Sequence, residues 1–354
     1  MTRTPDGSRV ADYEYELPAH RIARYPASRR DESRLLVVDR SAPPGPSGLR
    51  HRRFRDILDL FRPGDVLVVN ESRVLPVRLL GRKPTGATGE VFLLKELGEE
   101  GRLWEALVRP GGKLKPGRVL EVADDLAVEV VDSVEGGGRV VRLVTELPGR
   151  EALERYGRVP LPPYIDREDE EVDRERYQTV YARTPGSVAA PTAGFHFTPE
   201  LLDEIALRGV GVARVVLHVG LGTFRPVEAE DPAGHTMHAE VFSVRPEAAE
   251  AVNRARTGGG KVWAVGTTVV RTLESAGGED GRVRPSTRKT ALFIRPPHPF
   301  RIVDRLVTNF HLPRSTLLML VAAFAGYDRT MEAYRAAVGG EYRFYSYGDA
   351  MVVL

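Results

Sequence analysis

Between Val77 and Leu147 the chain runs as six short apolar or alternating segments, VRLLGR, GEVFLLKEL, LWEALVRP, RVLEV, LAVEVVD and RVVRLVTEL, parted by Gly, Pro or acidic turns. Nothing else in the sequence restricts the fold as strongly. Consecutive short strands without a helical period fit a small antiparallel barrel. Strand and helix patterns alternate on both sides of this stretch, so the barrel is expected as an insertion in a larger domain. The expected fold is therefore α/β: a discontinuous mixed α/β main domain, residues 1–75 and 156–354, with an inserted small antiparallel β-barrel, residues 76–155.

The flanking elements follow from local signals. Arg62-Pro63-Gly64 is a turn, Val66–Val69 a buried strand, and Asn70-Glu71-Ser72 a polar break. After a Pro-rich connector, Tyr156–Ile165, Thr198-Pro199-Glu200 opens a helix by cap and first-turn proline, and Gly209 closes it. Strands are expected at Val212–Val219, Lys261–Val265 and Ala291–Arg295. Helices are expected at Pro246–Arg256, Thr268–Ser275, Ser315–Ala325 and Thr330–Val338.

Composition narrows the function. The chain has no cysteine, which excludes disulfides, Cys-based zinc sites and thiolate nucleophiles. Its 51 basic and 49 acidic residues leave a net charge of +2, so any nucleic-acid contact has to be local. Residues 1–75 are the basic part, with 14 Lys/Arg against 11 Asp/Glu. Two knots stand out there, His20-Arg21-Arg24-Arg29-Arg30-Arg34 and Arg50-His51-Arg52-Arg53-Arg55, either able to line a phosphate backbone or to serve as a solvated surface. The opening MTRTPDGSRV lacks the layout of a secretory signal, and the longest apolar run, Leu317–Ala325, is too short to cross a bilayer. A soluble cytoplasmic protein with no membrane partner is the expectation.

No G-x-G-x-x-G lies between a strand and a helix, Gly260-Lys261 is followed by Val262 and so is no P-loop, and G-x-S-x-G and H-E-x-x-H are missing. What remains is a set of polar clusters at element ends in the second half: APTAGFHF (Ala190–Phe197), LHVGLGTFRPV (Leu217–Val227), HTMHAE (His235–Glu240), VGTTVVRTLESA (Val265–Ala276), TNFHLPRST (Thr308–Thr316) and YRFYSYGDAM (Tyr342–Met351). Each also has a plain structural explanation. His218 inside an apolar strand fits a hydrogen-bonded core residue, Thr267 fits a helix cap, and YRFYSY fits core packing. His235 and His238 with Glu240 form a weak metal pattern for want of a further ligand. Strand ends are, however, where α/β folds place ligands.

These segments, together with YELPAHRIARYP, RDESRLLVVDR, GDVLVVNESRVLPVRL, RPGGKLKPG, YGRVPLPPYI and YQTVYA, resemble the S-adenosylmethionine:tRNA ribosyltransferase-isomerase family of queuosine biosynthesis almost end to end. Two departures are small. Pro296-Pro297-His298 stands where the family usually has Pro-Gly and an aromatic, and Asn70-Glu71-Ser72 where Asn-Asp-Thr is common. The resemblance implies a discontinuous α/β domain with an inserted barrel. It also implies transfer of the ribosyl part of S-adenosylmethionine, a consumed substrate, to the exocyclic amine of 7-aminomethyl-7-deazaguanine in the anticodon of tRNA. Epoxyqueuosine-tRNA, adenine and methionine are the implied products, with no metal or redox cofactor.

A sulfonium acidifies the adjoining C5′ hydrogen, so the reaction needs a base, and adenine leaves better when protonated. The candidates for proton transfer are His196, His218, His235, His238, Glu240 and His311. Thr192, Thr223, Arg225, Thr267, Thr268, Arg271 and Asn309 are candidates to hold the nucleoside and methionine parts, with Arg343, Tyr345 and Asp349 at the acceptor base. Arg29, Arg30, Arg34, Asn70 and Arg73 are candidates for tRNA. A monomer is expected. The rival readings are an S-adenosylmethionine-dependent RNA methyltransferase, a non-catalytic RNA-binding module, and a metal hydrolase using His235, His238 and Glu240.

Overall fold

The computed structural model describes residues 4–354 other than 44, 99, 221–226 and 228. In chain order its strands and helices begin with β1 (Arg34–Val38), β2 (Leu49–Arg53), β3 (Val66–Asn70) and β4 (Ser72–Val74). The barrel strands follow: β5 (Arg78–Arg82), β6 (Thr88–Glu96), β7 (Leu103–Arg109), β8 (Val119–Ala123), β9 (Leu126–Ser133) and β10 (Arg139–Val144). The return carries α1 (Gly149–Tyr156), α2 (Glu171–Arg176), β11 (Thr184–Ser187), α3 (Pro199–Leu207), β12 (Gly211–Leu217) and β13 (Glu240–Val244). The chain ends with α4 (Pro246–Thr257), β14 (Val262–Val265), α5 (Thr267–Ala276), β15 (Ser286–Thr290), β16 (Arg305–Asn309), α6 (Thr316–Ala325), α7 (Tyr327–Gly339) and β17 (Ala350–Val353).

Among the described residues nine strands form one mixed sheet in the order β15-β13-β12-β3-β14-β16-β17-β1-β2. Its centre, β12-β3-β14-β16, is parallel. That centre is buried on both faces, which explains why VLVVN has no polar alternation. Val66 and Val68 point to one side, into a core shared with α4, α5, α6 and α7. Leu67 and Val69 point to the other, against Phe54, Phe197, Leu201 and Ile205. The result is helix, sheet and helix in three layers.

The six strands from Arg78 to Val144 close a barrel in the order β10-β7-β6-β5-β8-β9, every pairing antiparallel. Alternate residues such as Leu79, Val91, Trp104, Val128 and Val141 fill it. Chain exit and return lie side by side, because Arg78 bridges Arg158 and β4 pairs with β11. Gly157 packs so tightly there that a Cβ would stand 1.8 Å from the Pro76 carbonyl oxygen, so only glycine fits.

One expected strand is displaced. Residues 291–295 are not a strand; β15 lies just before them, at Ser286–Thr290. As a sheet edge it carries polar, exposed side chains and so no apolar period. The apolar run after it is drawn across the core, where Leu292 and Phe293 pack.

Candidate active site

The C-terminal ends of the parallel strands open into a cleft, the position at which open α/β sheets bind ligands. Its empty space, open mouth included, is about 640 Å³. Val219 follows β12 into it, Gly266-Thr267-Thr268 follow β14, Thr308 and Asn309 end β16, and Phe310 to Leu312 follow it. Tyr164, Pro191-Thr192, Ser315 and Tyr345-Ser346 complete the wall.

Two helices start in this wall. Gly266, at a positive φ of 91°, makes the sharp turn from β14 into α5, whose first residues are Thr267 and Thr268. The N-terminus of α6 is capped by Ser315, whose Oγ accepts from Leu318 N at 3.2 Å. Unpaired N–H groups and the helix dipole make such ends favourable to an anion, each by roughly 0.3–1 kcal/mol. Opposite them, the Tyr164 and Tyr345 rings lie 4.7 Å apart at 56°. Tyr345 takes up a left-handed φ of 69°, uncommon for a bulky residue, and is held there by its N–H donating to the Phe310 carbonyl at 3.2 Å.

Asn309 organises the floor. Its Oδ1 accepts from Thr192 Oγ1 at 2.9 Å, and its amide nitrogen donates to the Tyr345 carbonyl and to His196 Nε2, both at 3.2 Å. Because the amide donates to Nε2, the His196 proton belongs on Nδ1, which reaches Ser33 Oγ at 2.7 Å. His196 is buried and stacked on Phe54 at 5.0 Å, one side chain behind the cleft instead of in its wall. Burial, aided by the charges of Arg343 and Arg30, lowers its pKa to about 3. The unfolded chain protonates this imidazole below about 6.5, so from there down to about 3 the unfolded state carries the extra proton and stability falls as pH falls. His196→Gln should remove up to about 1.4 kcal/mol per pH unit of that slope. Denaturant unfolding at pH 7 and pH 5 measures it, and an unchanged slope would contradict the assignment.

His311 is the histidine that lines the cleft. Its Nε2 lies 2.7 Å from Thr308 Oγ1, its N–H donates to the Tyr334 hydroxyl at 2.9 Å, and its carbonyl accepts from the Tyr15 hydroxyl. Burial lowers its pKa to about 3, so the ring is neutral at neutral pH.

Other expected residues lie elsewhere. Glu240 is buried, with Oε1 accepting from Gly220 N at 2.9 Å and Oε2 paired to Arg271 Nη1. Arg271 also donates through Nε to the Leu292 carbonyl at 3.0 Å. The pair binds α5 to β13 and to the loop after β12, so Arg271 faces Glu240 and not a ligand carboxylate. His218 packs on Gly186, and its Nδ1 is buried without a partner among the described residues. His235 is half-buried, edge-on to Phe293 at 5.4 Å, and His238 is exposed. Among the described residues no three His, Cys, Asp or Glu side chains gather as a metal site. Thr223 and Arg225 lie outside the described residues.

Asp349 is buried under the chain, accepting from Arg34 N at 2.9 Å and Arg343 N at 2.8 Å, and so braces the turn that presents Tyr345. The Arg343 guanidinium reaches the Tyr25 carbonyl at 3.3 Å. The residues expected to meet tRNA are mostly committed to the fold. Asn70 is wholly buried, bonding Leu217 in both directions at 3.0 and 3.1 Å and Thr268 Oγ1 at 3.3 Å, so it supports the cleft and no phosphate reaches it. Arg30 donates to the Phe195 and Glu175 carbonyls, and Arg34 to Gly340 while stacking 3.8 Å from the Tyr342 ring centre. Arg29 pairs with Asp31 and Arg73 with Glu154 at the surface.

Sequence reasoning passed over Tyr164 as part of a linker and Ser315 as a plain helix cap. An aromatic closing a Pro-rich connector was the available signal for the first. For the second there was none, because a cap and a cleft-facing cap read alike.

The sequence profile of a family described as "Queuosine biosynthesis protein" matches residues 10–353. An S-adenosylmethionine:tRNA ribosyltransferase-isomerase of Symbiobacterium thermophilum is 55% identical over 348 residues, 98% of this chain and 100% of that one. A protein of the same name from Thermus thermophilus is 53% identical over 97% of this chain and 98% of its own. The crystal structure of the S-adenosylmethionine tRNA ribosyltransferase of Thermotoga maritima superposes with a TM-score of 0.55 at 40% identity, covering 97% of this chain and 99% of that one.

Proposed function

This chain belongs to the S-adenosylmethionine:tRNA ribosyltransferase-isomerase family of queuosine biosynthesis, and from that premise we propose how its cleft works. The enzyme transfers and isomerises the ribosyl moiety of S-adenosylmethionine onto tRNA. The acceptor is the exocyclic amine of 7-aminomethyl-7-deazaguanine at the wobble position, and adenine and methionine leave. S-adenosylmethionine is consumed and is not a cofactor.

The observation that carries this reading is one neutral histidine in a strand-end cleft between two helix N-termini and two tyrosine rings. The methionine carboxylate suits the N-termini of α5 and α6. Tyr164 and Tyr345 offer faces for adenine, and Thr192, Thr267, Thr268 and Asn309 offer hydroxyl and amide groups to the ribose. His311 takes the C5′ proton that the sulfonium has acidified. Adenine takes up a proton as it departs, so the imidazole returns to neutral within one turnover. His196 is a positioning residue that fixes Asn309 from behind.

Residues 1–75 and 156–354 act as the catalytic domain and 76–155 as a barrel domain, a division supported by the separate sheets. On this reading the protein works as a monomer, in the cytoplasm where tRNA is modified. Incubation with acceptor tRNA and S-adenosylmethionine labelled either in the ribose or in the methyl group tests the reaction. Ribose label in the RNA with free adenine is expected. Methyl label in the RNA with S-adenosylhomocysteine would replace this reading by a methyltransferase.

A further inference from the structure

The last residue of β7 and the loop to β8, residues 109–118, carry Arg109, Lys113, Lys115 and Arg118 and no acidic residue. All four side chains are exposed, and among the described residues none makes an ion pair or side-chain hydrogen bond. This sets the loop apart from most arginines of the two N-terminal knots, Arg50 excepted. There Arg55 is matched by Asp31 and Glu204, Arg29 by Asp31, and Arg53 by the Glu32 carbonyl. Unpaired cations within ten residues repel one another, so the fold gains nothing from keeping them together.

The loop is nevertheless held firmly. Leu114 is buried in the barrel core. Arg139 donates to the Gly111 and Leu114 carbonyls at 3.0 Å and to Gly138 at 2.8 Å, and Gly117 N donates to the Val130 carbonyl at 2.8 Å. One arginine is thus spent on shaping the loop while four cations are left facing outward.

Position links the loop to the chemistry. Arg109, Phe92 and Leu107 line a groove with the connector Pro160–Pro163 and Val188-Ala189, and its charged lining is mixed, Arg78 and Arg167 alongside Glu90, Asp166 and Glu168. The next residues of those same segments, Tyr164 and Ala190, line the cleft. We infer that the phosphate backbone of the acceptor RNA docks on the 109–118 loop of the barrel, and that the groove leads its nucleotide toward the cleft. The inference rests on the tRNA reading above. It transfers the main electrostatic contact from the N-terminal arginines to the inserted domain.

The test uses the full-length chain with an acceptor tRNA, binding followed by fluorescence anisotropy across a salt series. Replacing Arg109, Lys113, Lys115 and Arg118 together by Gln should weaken RNA binding on the order of tenfold or more at about 0.1 M salt, and lower the salt slope by about 3. S-adenosylmethionine affinity should stay unchanged, which shows the fold intact. Lys113→Arg with Lys115→Arg should retain binding, and Arg29→Gln with Arg73→Gln should cost little. Wild-type RNA affinity and slope in the fourfold Gln variant would overturn the inference while leaving the tRNA reading in place. A wild-type protein with no affinity for tRNA would remove both.

Discussion

His311→Ala lowers the rate of adenine release by roughly 10²–10⁴-fold, the usual worth of a positioned general base, while S-adenosylmethionine still binds. The expectation follows from placement. His311 is the histidine in the cleft wall, its backbone is fixed at both ends by Tyr334 and Tyr15, and its ring is fixed by Thr308. Burial keeps the imidazole neutral, so a lone pair is available at neutral pH. If Nε2 donates its proton to Thr308 Oγ1, Nδ1 is the basic atom. A structural role would lower binding and stability together. A role as base lowers turnover and slows exchange of the C5′ proton with solvent deuterium. Normal exchange in a stable His311→Ala protein would rule out that role.

Arg271→Ala destabilises the protein by about 3–5 kcal/mol, because it removes the guanidinium that pairs with the buried Glu240 carboxylate. The loss is enlarged by the Leu292 carbonyl, which gives up its donor when the guanidinium goes. Replacing both members with apolar side chains of similar volume, Arg271→Met with Glu240→Leu, recovers most of the stability, since a buried pair is worth little more than good packing. Activity does not recover with it, because Glu240 also holds Gly220 N at the start of the loop after β12. Urea unfolding of the two single variants and the double variant measures the coupling. Additive losses would show that the pair does not act as a unit.

The barrel was legible because each strand alternates and ends at a turn residue. The central strands were legible for the opposite reason, as unbroken apolar runs such as VLVV. The edges were not: β15, STRKT, faces solvent on most of its length and carries no pattern that local reasoning detects. At the site, the clusters around Thr192, Thr267 and Asn309 were found because polar residues at strand ends are unusual in an apolar context. Their roles were not readable. His196 and His311 sit in equally polar motifs, yet one lies behind Asn309 and the other in the wall, a difference set by packing across more than a hundred residues of chain. Arg30, Arg34 and Asn70 looked like RNA ligands because sequence gives charge and polarity but not the carbonyls that satisfy them. The loop at 109–118 was in view as a motif, and its meaning came only when its cations proved to be unpaired.

The most direct measurement is a crystal structure of the protein with S-adenosylmethionine. The nucleoside is expected against Tyr164, Tyr345 and Asn309, the carboxylate at the starts of α5 and α6, and C5′ within about 3–3.5 Å of a His311 ring nitrogen. A nucleoside bound in the barrel, or a sulfonium methyl group directed at the RNA entrance with C5′ remote from His311, would contradict it.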